Sequence, residues 1–94
     1  YRGMMTQSFA GTSQGEGAVE FDVKGGQVTG AAISHMTKIR RPIAGWVDAS
    51  CKLVDVVGQG ASGRFVLNGT LTEGTGRNLD GDPMRLEFRT RRID

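Results

Sequence analysis

The sequence is poor in cysteine, proline and aromatic residues, and each shortage narrows the class of protein. With one cysteine, Cys51, it has no internal disulfide and no Cys/His spacing of the kind that binds zinc. Two prolines and 15 glycines without a triplet period exclude collagen and indicate many tight turns. No apolar run approaches the roughly 18 residues of a membrane-spanning helix, so no transmembrane segment is predicted.

The length and charge of the chain allow one domain with a modest core. We expect the 94 residues, numbered 1–94, to form that single domain. The net charge of +2 is too small to demand a polyanionic partner. Its distribution is more informative, because four of the nine arginines fall within the last ten positions.

Residues 18–33, AVEFDVKGGQVTGAAI, read as a β-hairpin. Gly25 and Gly26 supply the positive φ angles of a two-residue type I′ turn. Mirror pairing around them sets Val23 against Val28 and Phe21 against Gly30. Alternation then predicts that Val19, Phe21 and Val23 face the core. Glu20, Asp22 and Lys24 lie on the other face of the same strand.

The rest of the chain predicts further short strands separated by glycine-rich turns and no amphipathic helix. The predicted segments are a strand over 1–10, a flexible connection over 11–17, a crossing loop or helical turn over 34–42, a hairpin over 43–57 turning at 48–50, a turn over 58–63, a strand over 64–71, a polar loop over 73–83 and a strand over 84–91. We therefore predict an all-β fold, a small antiparallel meander of six to seven strands in a closed or nearly closed barrel.

Four stretches resemble small exported glycine-rich β domains of bacteria. They are 9–12 (FAGT), 21–30 (FDVKGGQVTG), 45–49 (GWVDA) and 65–71 (FVLNGTL). The resemblance implies a lipocalin-like meander located in the periplasm or outside the cell, and it carries no catalytic residues. A domain of this kind acts by binding, with a protein partner or self-association as the expected interaction.

Other stretches resemble the smallest bacterial translation initiation factor, an OB-fold protein that binds RNA on the ribosome. The similar pieces are 21–23 and 27–29, then 32–34, the basic 38–41, and 86–91 (LEFRTR). This resemblance implies a cytoplasmic RNA-binding or single-stranded nucleic-acid-binding protein that uses a basic strand.

Two side chains could carry catalysis, although ordinary roles are commoner for both. His35 is the only histidine, and no nucleophile or carboxylate lies near it in the sequence. Cys51 lacks a neighbouring cation on its own face of a strand, so we expect a buried structural thiol. An enzyme that uses His35 or residues 78–82 is the third hypothesis.

Three oxygen-bearing side chains alternate at Asn78, Asp80 and Asp82, and they could converge on a hard cation. The closing glutamate of a calcium loop is absent, and such residues ordinarily form turns. We therefore predict no metal site and no cofactor.

The strongest candidate binding feature is a set of basic residues. Outward residues on one strand lie about 6.5–7 Å apart, close to the phosphate repeat of a single nucleic-acid strand. The alternative is that arginines on a terminal strand prevent edge-to-edge pairing of sheets. The candidate binding residues are Lys38, Arg40, Arg41, Arg85, Arg89 and Arg91.

Overall fold

The chain forms a closed antiparallel β-barrel. The computed structural model describes residues 1–9, 13–35, 37–60, 63–80 and 84–93. Each strand pairs with the next, and the last pairs with the first. The predicted all-β meander is confirmed, with eight strands instead of six or seven. They are β1 Arg2–Phe9, β2 Ser13–Lys24, β3 Gln27–Ser34, β4 Arg40–Val47, β5 Leu53–Gly60, β6 Gly63–Gly69, β7 Glu73–Asn78 and β8 Met84–Arg91.

The predicted hairpin is present in the predicted register. Val23 lies opposite Val28 and Phe21 opposite Gly30, with φ angles of 59° at Gly25 and 80° at Gly26 in the turn. Val19 and Phe21 are buried, but Val23 is 40% exposed. The prediction for Val23 was wrong because Val23 lies beyond Glu20, where the pairing of β2 with β1 ends, whereas Val28 opposite it is also paired with Gly45 on β4.

The extra strand is β7, which replaces most of the predicted polar loop over 73–83. Its sequence, EGTGRN, contains two glycines and no β-branched apolar residue, so local propensity does not favour a strand. Pairing with β6 on one side and β8 on the other supplies the hydrogen bonds that local sequence does not suggest. Barrel closure therefore overrides the weak local preference.

Three other predicted connections are shorter than expected. The glycine-rich stretch after β1 belongs to β2 from Ser13, and β5 and β6 extend through the predicted turn as far as Gly60 and Gly63. The predicted crossing loop over 34–42 is a tight connection, because β4 begins at Arg40. Pro42 is tolerated there because it lies one residue before β4 begins to pair with β5.

Apolar side chains fill the interior, as an eight-stranded barrel allows. Phe21 and Phe88 meet edge to face with their ring centroids 5.6 Å apart. The buried hydroxyl of Thr90 donates a hydrogen bond to the backbone oxygen of Leu71. The core residues are Met5, Val19, Phe21, Val28, Ala32, Ile43, Val56, Phe65, Leu67, Leu71, Met84, Leu86 and Phe88.

The connections alternate between the two ends of the barrel. Those after β2, β4 and β6 lie at one end, and those after β3, β5 and β7 lie at the other. No helix among the described residues is long and apolar enough to cross a membrane.

Candidate binding face

Strand β8 separates apolar from charged side chains by alternation. Met84, Leu86 and Phe88 face inward, as predicted, and Thr90 follows them into the interior. The residues between them are exposed on the outer surface. They are Arg85, Glu87, Arg89 and Arg91.

Two of these arginines face another arginine on a neighbouring strand. Arg85 lies directly opposite Arg77 on β7, and Arg91 lies directly opposite Arg2 on β1. Like charges in directly opposed positions destabilise a sheet. We call the outer surface of β7, β8 and β1 the arginine face; its cations are Arg2, Arg77, Arg85, Arg89 and Arg91.

Carboxylates neutralise the arginine face only in part. Arg85 is 3.8 Å from Glu87 and Arg2 is 3.8 Å from Glu20, and the side chains of both arginines are more than 70% exposed. Glu73 on β7 lies directly opposite Arg89, but within the described ranges Arg77, Arg89 and Arg91 have no carboxylate oxygen within 4.0 Å. The face therefore presents positive charge to solvent.

An open groove crosses the arginine face. Its volume is about 690 Å³, and small residues such as Gly74 and Thr75 form part of its lining. A row of polar side chains from four successive strands lies along the groove, each directly opposite the next. They are Asn68, Thr75, Glu87 and Thr6. Arg89 borders this groove, and Arg77 and Arg85 border an adjoining one of about 330 Å³. The face thus combines hydrogen-bonding groups with flanking cations.

The other three predicted binding residues do not join this face. Lys38 is in the connection between β3 and β4, with a φ angle of 62°. Arg41 is half-buried at an inward position of β4. Arg40 is exposed, but its Nη2 lies 2.7 Å from Oε1 of Glu20, so the ion pair spans β3. The structure brings together Arg85, Arg89 and Arg91 and adds Arg2 and Arg77, which the sequence analysis missed.

The two arginines that the sequence analysis missed differ in whether the sequence pattern could have identified them. Arg2 shares the outward side of β1 with Met4 and Thr6, so side-chain alternation could have placed it on the surface. Only the pairing of β1 with β8 gives Arg2 a basic neighbour. Arg77 was assigned to a loop, because Gly74 and Gly76 hide the alternation of its strand.

Two of the candidate catalytic side chains, His35 and Cys51, lie at opposite ends of the barrel. His35 is exposed in the connection after β3, where its backbone N–H donates to the backbone oxygen of Glu16. Cys51 is in the connection after β4, at the opposite end of the barrel. Its thiol is exposed, so the prediction of a buried cysteine was wrong. A left-handed φ angle of 62° puts Cys51 in a turn instead of a strand.

The candidate metal loop is organised by an ion pair. Nε of Arg64 lies 3.0 Å from Oδ2 of Asp80, and the backbone N–H of Arg64 donates to the same oxygen. These hydrogen bonds hold the pKa of Asp80 below its ordinary value. Asn78 ends β7, and Asp82 lies outside the described residues. Among the described residues no group of three His, Cys, Asp or Glu side chains could hold a metal ion.

Comparison of the chain with protein-family models, with curated proteins and with solved structures finds no match.

Proposed function

We propose that the chain is a non-enzymatic binding domain whose arginine face takes an acidic surface of a protein partner. The observation that carries the proposal is the presence of two directly opposed like-charge pairs, Arg77 with Arg85 and Arg2 with Arg91. Each costs stability in the isolated barrel, and an acidic partner would convert that repulsion into attraction. His35 and Cys51 lie at opposite ends of the barrel, so they do not form a nucleophile–base pair.

Single-stranded nucleic acid is the second candidate ligand. Arg89 and Arg91 are successive outward residues on β8, which gives a spacing of about 6.5–7 Å along the strand. Binding of this kind normally also uses aromatic side chains on which bases stack. Phe21, Phe65 and Phe88 are buried, which favours the protein partner. An OB-fold is a five-stranded Greek-key barrel, so this candidate depends on the arginines and not on that fold.

The experiment measures binding to two polyanions, poly-L-glutamate and a short single-stranded oligonucleotide, over a range of salt concentrations. We expect poly-L-glutamate to bind more tightly, and the Arg77→Gln and Arg89→Gln variants to bind it several-fold more weakly. Lys38→Gln is the matched control, because it removes one positive charge away from the face. Equal losses in all three variants would contradict a directed site. Tighter binding of the oligonucleotide, with a steep salt dependence, would favour the second candidate.

Location outside the cytoplasm is a separate part of the proposal, and it rests on the resemblance to exported bacterial domains. Fractionation of cells that express the full gene tests it. Recovery from the periplasm or the medium is the expected outcome, and recovery from the cytoplasm would argue for the nucleic-acid candidate.

A further inference from the structure

An exposed apolar surface lies across the barrel from the arginine face. Trp46 on β4 is 55% exposed and lies opposite Val54 on β5, which is 40% exposed. Ala44 and Val57 form the next outward pair on the same two strands. We call these four residues the tryptophan face. Large apolar side chains clustered outside a small barrel mark a candidate interaction surface.

A β-bulge builds this face. Val54 and Val57 are three residues apart, so in a regular strand they would point to opposite sides of the sheet. The register shifts between Ala44 and Trp46, and Asp55 takes a left-handed φ angle of 49°. Gly45 makes room for the bulge, because a Cβ there would lie 2.5 Å from the Cα of Val56. The left-handed conformation of Asp55 is unfavourable for a residue with a side chain, and it occurs where the bulge keeps Val54 and Val57 on the outer surface of the barrel.

Carboxylates border the tryptophan face. Asp55 is exposed within the bulge, and Asp22 is exposed on β2, in the row that passes through Thr29 to Ala44. In the part of the chain that the structure describes, neither carboxylate has a cationic group within 4.0 Å. Lys24 lies in the row that passes through Gln27 to Trp46, so Asp22, Asp55 and Lys24 together leave a small acidic excess. A partner surface that combines exposed apolar side chains with an excess of basic ones would complement this face.

The arginine face of the same chain combines one exposed apolar side chain, Met4, with an excess of arginines over the carboxylates of Glu73 and Glu87. Met4, 56% exposed, lies directly opposite Arg89 and two residues from Arg2. Methionine contacts aromatic rings favourably, and the arginines would meet carboxylates. The two faces therefore match each other in both apolar character and charge.

We infer that the tryptophan face of one copy of this chain docks on the arginine face of a second copy. This inference rests on the proposed function, because it names the acidic partner of the arginine face. Strands β4 and β5 are four strands away from β8 and β1 in a ring of eight, so one partner cannot cover both faces. The contact is heterologous and leaves one face free at each end, which allows growth beyond a dimer.

The first test is sedimentation equilibrium of the 94-residue chain. We expect the weight-average mass to rise from the monomer value toward more than two copies between about 10 µM and about 1 mM, the range of weak contacts. Trp46→Gln and Arg89→Glu should each remain monomeric. Ile39→Gln and Lys38→Glu are matched controls that should associate like the unchanged chain. Circular dichroism and urea unfolding establish that every variant is folded.

The decisive test is to mix the two deficient variants. Trp46→Gln retains an intact arginine face and Arg89→Glu retains an intact tryptophan face, so an equimolar mixture can form one contact. We expect complexes that stop at two copies, one of each variant. A mixture that stays monomeric while the unchanged chain associates would overturn the head-to-tail geometry. An unchanged chain that is monomeric at about 1 mM would overturn the inference itself.

Poly-L-glutamate separates this inference from the proposed function. At chain concentrations below about 10 µM, where the unchanged chain is monomeric, Trp46→Gln should bind poly-L-glutamate as the unchanged chain does, and Arg89→Glu should bind it several-fold more weakly. If poly-L-glutamate binds in this pattern but the chain does not self-associate, only the inference fails. If Arg89→Glu binds poly-L-glutamate normally, the proposed function fails as well.

Discussion

Arg77 and Arg85 lie directly opposite each other on β7 and β8, with both side chains on the outer surface of the barrel. Directly opposed side chains of an antiparallel pair are neighbours on the sheet surface, and among the described residues Glu87 has a carboxylate oxygen 3.8 Å from Arg85. The sheet therefore contains a repulsive contact that a single substitution can reverse.

We expect Arg77→Glu to make the protein more stable and weaken its binding. An opposite-charge pair contributes roughly 0.2–1 kcal/mol, so the free energy of unfolding should rise by about that amount. The urea midpoint should increase at unchanged slope, while the affinity for poly-L-glutamate falls. Arg77→Gln, which removes the repulsion without adding attraction, should be intermediate in stability. Lower stability in Arg77→Glu would mean that the two arginines do not repel.

The edge-to-face contact between Phe21 and Phe88 predicts a large and coupled loss of stability. Phe21 is 1% exposed, so Phe21→Ala should cost about 3–5 kcal/mol. A double-mutant cycle with Phe88→Ala should give a coupling energy of about 0.5–1.5 kcal/mol. Urea unfolding measures both quantities. A cost below roughly 1 kcal/mol for Phe21→Ala would mean that the hairpin register is wrong.

The left-handed backbone conformation of Gly25, and not a lack of room for a side chain, limits which residues this position accepts. Its φ angle is 59°, and a Cβ there would meet no atom within 4 Å. Gly25→Val should therefore lower stability by about 1–2 kcal/mol, the cost of a left-handed conformation for a residue with a side chain. Gly25→Asn is the matched control and should cost less, because asparagine tolerates that region. Equal losses in thermal or urea unfolding would indicate a clash instead.

Thr90 tests the polar contact inside the barrel. Its hydroxyl donates to the backbone oxygen of Leu71, which belongs to the connection between β6 and β7. Thr90→Val keeps the shape but leaves that oxygen without its donor, so stability should fall by about 1–3 kcal/mol. Thr90→Ser retains the hydroxyl and should lose less. A fall in Thr90→Ser equal to that in Thr90→Val would assign the effect to the methyl group.

The contact between Asp80 and Arg64 should make the free energy of unfolding depend on pH in the acidic range. The side-chain and backbone hydrogen bonds from Arg64 lower the pKa of Asp80 from its ordinary value of 3.8. A lowered folded-state pKa stabilises the protein above the unfolded value, and that stabilisation disappears as the pH falls through the folded-state pKa. Asp80→Asn should thus be less stable than the unchanged chain at neutral pH, and the gap should close in acid.

An NMR titration of the Asp80 carboxyl carbon measures this pKa directly. Arg64→Gln should move the pKa upward toward its ordinary value, since the side-chain hydrogen bond is its largest cause. A stability gap that persists at the acid end of the titration would show that another interaction of Asp80 is responsible.

The parts of the fold that the sequence predicts are those with local patterns. Phe21 and Val28 lie in a hairpin whose two glycines fix its register, and β8 alternates cleanly between Met84 and Arg91. The eighth strand was missed because β7 owes its existence to pairing on both sides, and no local pattern records a neighbour distant in sequence.

Only part of the candidate site was predictable from the sequence, for a similar reason. Arg85, Arg89 and Arg91 share one strand, so alternation places them together. Arg2 lies opposite Arg91 only because the two ends of the meander meet, and that contact joins residues at opposite ends of the sequence. Side-chain alternation gives the direction of a residue within its strand but not which strand lies beside it.

The pairing of β1 with β8 extends over all eight residues of each strand, and it joins the first strand of the chain to the last. The arginine face lies across that seam. A ligand that contacts Arg2 and Arg91 together therefore clamps the first strand to the last, and its binding free energy adds to the free energy of closure. Hydrogen exchange of the β1 and β8 amides should slow in the presence of that ligand. The partner of this domain would therefore also stabilise the closed barrel.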